Sequence, residues 1–219
     1  MNSNTVFPNG GLYLITPDEA DSECFLARVL PVLGSQIAIL QYRNKLANTE
    51  QMREQATALL QHCRKHHIFF IINDDIRLAH ELAADGVHLG EHDGDVKTAR
   101  NLLGPKAIIG VSCYNSLALA EAAAADGANY IAFGAVFTSG TKPLAREASP
   151  ELFSQAVPLN LPMVAIGGIT PDNAARILSA GANFLAVIGA VFDAADPAVE
   201  VTKFISRFQQ RIPGQPNEH

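Results

Sequence analysis

Eight short apolar runs recur along the chain at fairly even spacing, and they restrict its fold more than any other feature. They occupy 12–15, 37–41, 68–72, 86–89, 107–111, 130–133, 163–166 and 184–188. Runs this short and this continuously apolar suit strands buried on both faces, as a parallel sheet requires. Between them lie stretches with helical patterning, at 50–66, 76–84, 116–125, 150–156 and 171–180. Glycines follow several of these, as in Ala84-Asp85-Gly86, Asp126-Gly127 and Ala180-Gly181, and predict left-handed helix caps that feed the next strand. Ser149-Pro150 and Thr170-Pro171 have the form of an N-cap followed by a first-turn proline. Eight strand–helix units in about 210 residues predict an α/β fold, a (β/α)8 TIM barrel. One domain spans 1–219, with an ordered core over roughly 11–210 and short polar tails. An open doubly wound sheet is the runner-up; it usually needs fewer strands, and no GxGxxG follows the first run.

Composition narrows the function classes. With 48% apolar and 17% charged residues the chain is too apolar to be disordered. Its net charge of −6, without a Lys/Arg-rich block, argues against nucleic-acid binding but leaves room for a local basic pocket. Cys24, Cys63 and Cys113 are far apart and form no CxxC, which reads as reduced thiols in a cytoplasmic protein without a disulfide framework or zinc site. The N-terminus has no apolar signal core, and no run approaches about 18 apolar residues, so neither secretion nor a membrane partner is expected. Assembly into a homo-oligomer is left open.

In a barrel of this kind the chemistry sits where the strands end, at the C-terminal face. After the second run, Gln41, Arg43 and Lys45 share one side of an extended segment, and two cations with an amide make a diphosphate clamp. After the third run come Asn73, Asp74 and Asp75. Adjacent carboxylates beside apolar residues call for a partner such as Mg²⁺, with Asp75 readable as a helix cap. The fourth run leads to His88, His92 and Asp93; Asp74 and Asp93, from neighbouring strands, could share one Mg²⁺. Two histidines without a third soft ligand are weak grounds for zinc. His62 and His66, four apart on a helix, precede the third run and so lie at the wrong end of the barrel. Ser112 follows the fifth run as a phosphate donor. Ser139, Thr141 and Lys142 follow the sixth, in a hydroxyl-rich loop that lacks the order of a nucleotide P-loop. Gly167 and Gly168 follow the seventh and Gly189 the eighth, where barrels of this type often bind phosphate through backbone N–H groups.

Taken together, these segments resemble the thiamine phosphate synthase family over nearly the whole chain. The matching pieces are Gln41-x-Arg43-x-Lys45, Ile72-Asn73-Asp74, Gly86-Val87-His88-Leu89-Gly90 with Asp93, Thr141-Lys142 and Ala165-Ile166-Gly167-Gly168-Ile169. The resemblance implies a transferase that joins hydroxymethylpyrimidine diphosphate to a thiazole phosphate with Mg²⁺ as cofactor and small molecules as partners. It implies Asp74 and Asp93 as Mg²⁺ ligands, with Gln41, Arg43, Lys45, Asn73, Ser112 and Lys142 on the pyrimidine diphosphate. Arg43, Lys45 and Lys142 carry the catalytic charge. Ser139, Thr141, Gly167, Gly168, Ile188 and Gly189 then hold the thiazole phosphate. The family's dissociative chemistry needs no covalent nucleophile. The chain departs from the family pattern at Thr138, at Ser139 in place of Thr, and at Gly189 in place of Ser.

Three other readings fit less well. A sister family of thiazole tautomerases uses a histidine in the loop after the fifth strand, where this chain has Tyr114. A binding-only barrel would not need the Gln41, Arg43, Lys45, Asp74 and Asp93 set. A Schiff-base aldolase needs a strand lysine, and the eight runs hold none.

Overall fold

The computed structural model describes residues 7–34, 36–137 and 148–209. Eight parallel strands pair in chain order and close on themselves: β1 (Gly11–Ile15), β2 (Ile39–Tyr42), β3 (Phe69–Asn73), β4 (Gly86–Leu89), β5 (Ile108–Tyr114), β6 (Tyr130–Gly134), β7 (Met163–Ile166) and β8 (Phe184–Val187). The helices around them are α1 (Ser22–Val29), α2 (Thr49–His66), α3 (Ile76–Leu82), α4 (Val96–Leu103), α5 (Leu117–Ala125), α6 (Pro150–Ala156), α7 (Ala174–Ser179), α8 (Gly189–Phe192) and α9 (Pro197–Gln209). The architecture is the expected (β/α)8 barrel. No described helix is long and apolar enough to cross a membrane.

Alternation along the strands splits the core in two. Tyr13, Ile15, Ile39, Ile71, Ile108, Tyr130, Val164 and Phe184 form a cluster without helix residues, the filling of the barrel. Their strand neighbours, such as Leu14, Leu40, Phe70, Ile109 and Leu185, pack instead with α1, α2 and the other helices. Both faces of each strand are therefore buried, which explains why the runs are continuous and do not alternate. Carried past the apolar layers, the inward register reaches Gln41 and Arg43, Asn73, His88, Ser112 and Ile188 at the C-terminal ends.

A repeated device fastens the opposite rim. Asp85, Asn129 and Asn183 each precede an even-numbered strand and clasp the odd-numbered strand before it. Their side-chain oxygens accept from the N–H groups of Phe70 (2.8 Å), Ile109 (2.8 Å) and Met163 (2.9 Å). Their own N–H groups donate back to the carbonyls of the same three residues. Arg100 adds bonds from its guanidinium to the carbonyl of Ala107 and to Asn129 Oδ1.

Two local expectations are corrected. Thr170-Pro171 does not start α7. Thr170 N–H donates to Asn173 Oδ1 at 2.9 Å and forms a turn, so the helix begins at Ala174. The left-handed cap of α3 is Ala83 (φ 50°), not Gly86. Gly86 is needed for another reason: a Cβ there would lie 1.8 Å from the Ile108 carbonyl oxygen. Gly127 and Gly181 do take positive φ, and Pro150 opens α6 as expected.

Burial raises the Asp85 carboxyl above the ordinary carboxylate range, although the Phe70 N–H and Arg64 oppose the shift. A carboxyl raised in the folded state favours folding most when protonated, so its contribution falls as pH rises through that raised value. Asn129 and Asn183 make the same clasp without a charge. Asp85→Asn is thus expected to raise the melting temperature at pH 8, with the gain shrinking towards about pH 4. Asn129→Ala should cost about 1–3 kcal/mol by stranding the Ile109 N–H. Thermal melts at both pH values check the pair.

Candidate active site

Side chains from β2, β3, β4 and β5 meet at the C-terminal mouth. Gln41 is 2% exposed, and its Nε2 has no hydrogen-bond partner among the described residues. A buried amide left unpaired costs free energy unless a ligand satisfies it, so this donor is available to one. Past the end of β2 the chain is fixed by Thr16, whose hydroxyl donates to the Arg43 carbonyl (2.7 Å) and accepts from the Arg43 N–H (2.8 Å). The Arg43 guanidinium donates to both Asp18 oxygens at 3.1 Å, and Asp18 also accepts from the Lys45 N–H at 2.7 Å. Asp18 follows the first apolar run, so the rule that marks the other strand ends extends to it.

Asp74 takes a left-handed backbone (φ 64°), and its N–H donates to the His88 carbonyl at 2.8 Å. Asn73 Nδ2 donates to its carboxylate at 2.6 Å. Burial, and then the hydrogen bond and charge of Asp93, push the Asp74 carboxyl up to about 6, while Lys45 and Asn73 pull it down. Two carboxylates and one ammonium therefore share a small volume. Asp93 is held by the Gly90 N–H at 3.1 Å, and a Cβ at Gly90 would sit 2.5 Å from its Oδ2. Asp75 is the N-cap of α3, accepting from the Leu78 N–H at 2.9 Å. No group of three or more His, Cys, Asp or Glu gathers as a metal cage among the described residues.

Ser112 Oγ lies 2.8 Å from His88 Nε2, and His88 Nδ1 lies 3.0 Å from the Tyr130 hydroxyl. Both ring nitrogens of His88 are thus taken up inside the barrel, which leaves neither for zinc; His92 is exposed. Burial lowers the His88 pKa to about 4, so the ring is neutral at physiological pH. Tyr114 stands in the αL region (φ 52°) beyond the β5 bulge and accepts from the Glu91 N–H at 3.4 Å.

On the far side of the mouth, Gly167 (φ 103°) and Gly168 (φ 63°) turn the chain after β7. A Cβ at Gly167 would meet Ala135 at 2.7 Å. Ile188 precedes α8 and Gly189 is its first residue. A Cβ at Gly189 would come within 2.5 Å of Asp193 Oδ2, and Asp193 is ion-paired with Arg28. A side chain at this position would therefore have to displace the Asp193 carboxylate. Ser139, Thr141 and Lys142, with Thr138 and Gly140, lie outside the described residues.

The family described as thiamine monophosphate synthase matches residues 12–191. A thiamine-phosphate synthase of Xanthomonas campestris pv. campestris (strain 8004) is 52% identical over 200 residues, covering 91% of this chain and 96% of the relative. One from Methylobacillus flagellatus is 52% identical over 208 residues, covering 95% and 100%. Among solved structures, a thiamine phosphate pyrophosphorylase from Pyrococcus furiosus superposes with a TM-score of 0.81 at 33% identity, covering 92% of this chain and 96% of that one.

Burial of the Asp74 carboxylate, and then its crowding by Asp93, oppose folding when no cation is bound, though solvent screening at this half-exposed site cuts the cost well below the full shift. In the presence of a chelator, Asp74→Asn is expected to raise the melting temperature at pH 7.5 by about 2–4 °C, the shift that roughly 1 kcal/mol gives in a chain of this size. A lower melting temperature would show that the carboxylate is stabilised by Lys45 and Asn73 more than it is repelled by Asp93.

Proposed function

The chain belongs to the thiamine monophosphate synthase family, and from that premise we propose that it condenses hydroxymethylpyrimidine diphosphate with a thiazole phosphate. The products are thiamine phosphate and diphosphate, and the reaction requires Mg²⁺. The observation that carries this reading is the meeting, at one strand-end mouth, of the Gln41 amide nitrogen, unpaired among the described residues, the cations of Arg43 and Lys45, and the Asp74–Asp93 pair.

The chemistry divides into a bond that breaks and a bond that forms. The C–O bond between the pyrimidine methylene and the diphosphate breaks, and its electron pair leaves with the diphosphate. The thiazole nitrogen then gives its lone pair to the methylene carbon. No proton has to be removed, so no general base is required. Fixed positive charge near the leaving group and close placement of the second substrate suffice.

Gln41, Asn73 and Ser112 donate to the pyrimidine diphosphate in this scheme, and Arg43, Lys45 and Lys142 supply charge to it as it departs. Arg43 reaches it by exchanging the Asp18 carboxylate for a phosphate oxygen. The Gly167-Gly168 turn and the backbone at Ile188 and Gly189 take the thiazole phosphate, with Ser139 and Thr141 in the roles that the family resemblance gives them. Asp74 and Asp93 suit Mg²⁺, which binds oxygen ligands and is commonly held by one or two carboxylates plus substrate phosphates. Bound there, the ion supplies charge neutralisation for the leaving diphosphate. The free thiols of Cys24, Cys63 and Cys113 support a cytoplasmic setting.

Diphosphate release from the pyrimidine substrate, followed with and without thiazole phosphate and with Mg²⁺ or chelator, tests the proposal. Release and thiamine phosphate formation should need all three components. Binding of thiazole phosphate without any release would point to a tautomerase or a binding-only barrel. Arg43→Ala should raise KM for the pyrimidine diphosphate about 10- to 100-fold, the loss expected for a hydrogen bond to a charged group, with little change for the thiazole phosphate. An equal rise for both substrates would count against two separate subsites. Asp74→Asn and Asp93→Asn should each abolish the Mg²⁺-induced rise in melting temperature as well as turnover.

A further inference from the structure

We propose that Tyr130 and His88 are positioning residues that aim the Ser112 hydroxyl proton into the mouth, through a hydrogen-bonded chain that starts at Tyr13. The inference rests on the reading of Ser112 as a diphosphate contact and adds residues that lie beneath it.

The chain is continuous. Tyr13 Oη lies 2.8 Å from Tyr130 Oη, Tyr130 Oη 3.0 Å from His88 Nδ1, and His88 Nε2 2.8 Å from Ser112 Oγ. It runs through the barrel from β1 to β5 by way of β6 and β4. His88, Gly110 and Tyr130 are register partners on three adjacent strands. Gly110 is the gap that lets the other two meet, since a Cβ there would lie 1.9 Å from Tyr130 Cζ. The His88 and Tyr130 rings stack at 5.6 Å across it.

Proton counting gives the chain its direction. Each hydroxyl has one proton to donate, and a neutral imidazole has one N–H and one bare nitrogen. In one polarity Tyr13 donates to Tyr130, Tyr130 donates to His88 Nδ1, and His88 Nε2–H donates to Ser112. The Ser112 proton is then free for a ligand oxygen. In the opposite polarity Ser112 spends its proton on His88, and the Tyr13 proton has nowhere to go. Tyr13 is 1% exposed, and Tyr130 is its one hydrogen-bond partner among the described residues. If Tyr130 accepted from both neighbours, its own buried proton would be stranded. A stranded buried donor costs more than a spare lone pair, and a phosphate oxygen needs donors, so both ends of the chain favour the first polarity.

The ring of His88 is thereby held as the Nε2–H tautomer. Long-range ¹H–¹⁵N spectra of the imidazoles, recorded with Mg²⁺ and inorganic diphosphate, read this directly. The expected result is His88 in the Nε2–H form, with Tyr130→Phe admitting the Nδ1–H form while the amide spectrum stays folded. Tyr130→Phe should weaken diphosphate binding about three- to tenfold, the worth of one hydrogen bond, and should have no further effect in a Ser112→Ala background. An Nδ1–H tautomer with diphosphate bound overturns the inference, as does full additivity of the two substitutions. Should Tyr130→Phe not fold, the tautomer of the unsubstituted protein decides alone. A protein that fails to bind diphosphate loses the underlying reading as well, whereas binding with the wrong tautomer removes only the relay.

Discussion

Closure of a parallel sheet on itself is the constraint from which the rest of the molecule follows. Once eight strands pair in a ring, no face of any strand meets water along its length, so alternate residues must fill either the barrel or the helix layer. Polar side chains on the inward register have two remedies. They can sit at an open end, or they can find partners inside. Gln41, Asn73 and Arg43 take the first course; Tyr13, Tyr130 and His88 take the second. The mouth gathers polar groups because the barrel can tolerate them there.

Several of these placements oppose folding. The Gln41 amide nitrogen is buried without a partner among the described residues, Asp74 stands in the left-handed region, and its carboxyl is crowded by that of Asp93. Such costs cluster where a ligand would relieve them. A cation between the carboxylates would relieve their repulsion, and a phosphate oxygen beside the amide would satisfy its donor. The surroundings are built to hold the arrangement meanwhile. Thr16 grips both polar groups of the Arg43 backbone, Asp18 ties Arg43 to the Lys45 N–H, and Gly90 makes room for the Asp93 carboxylate.

The strands were legible because double burial leaves a plain mark, a run of apolar residues with no alternation. The strand-end residues were legible for the same reason, since the first polar residue after a run must stand at a rim. Helix boundaries were less so. Thr170-Pro171 carries every local sign of a helix start, but the Asn173 side chain bonds back to the Thr170 N–H and holds a turn for three more residues. Gly86 looks like a helix cap, whereas its real constraint is the Ile108 carbonyl on the next strand, a contact distant in sequence. Asp18 follows the first run and so stands at the same rim, but its partners, Arg43 and Lys45, lie 25 and 27 residues away, and its role in holding them has no local mark. Tyr13 and Tyr130 read as core aromatics, and so they are. What the sequence does not show is that their hydroxyls touch.

That contact also sets the depth of the barrel's polar zone. Below it, Phe7 packs against Phe69, Tyr130 and Phe184 and fills the floor with rings. Above it stand His88, Ser112 and the mouth. Tyr130 belongs to both zones: its ring faces Phe7 while its hydroxyl bonds Tyr13 and His88. The ring can take this position only because Gly110 has no side chain. A substitution at Gly110 would therefore act on Ser112 without touching it, by moving the ring that orients the imidazole beneath it. Packing in the floor and hydrogen-bond direction at the mouth are in this sense one property of the barrel, linked through a single missing methyl group.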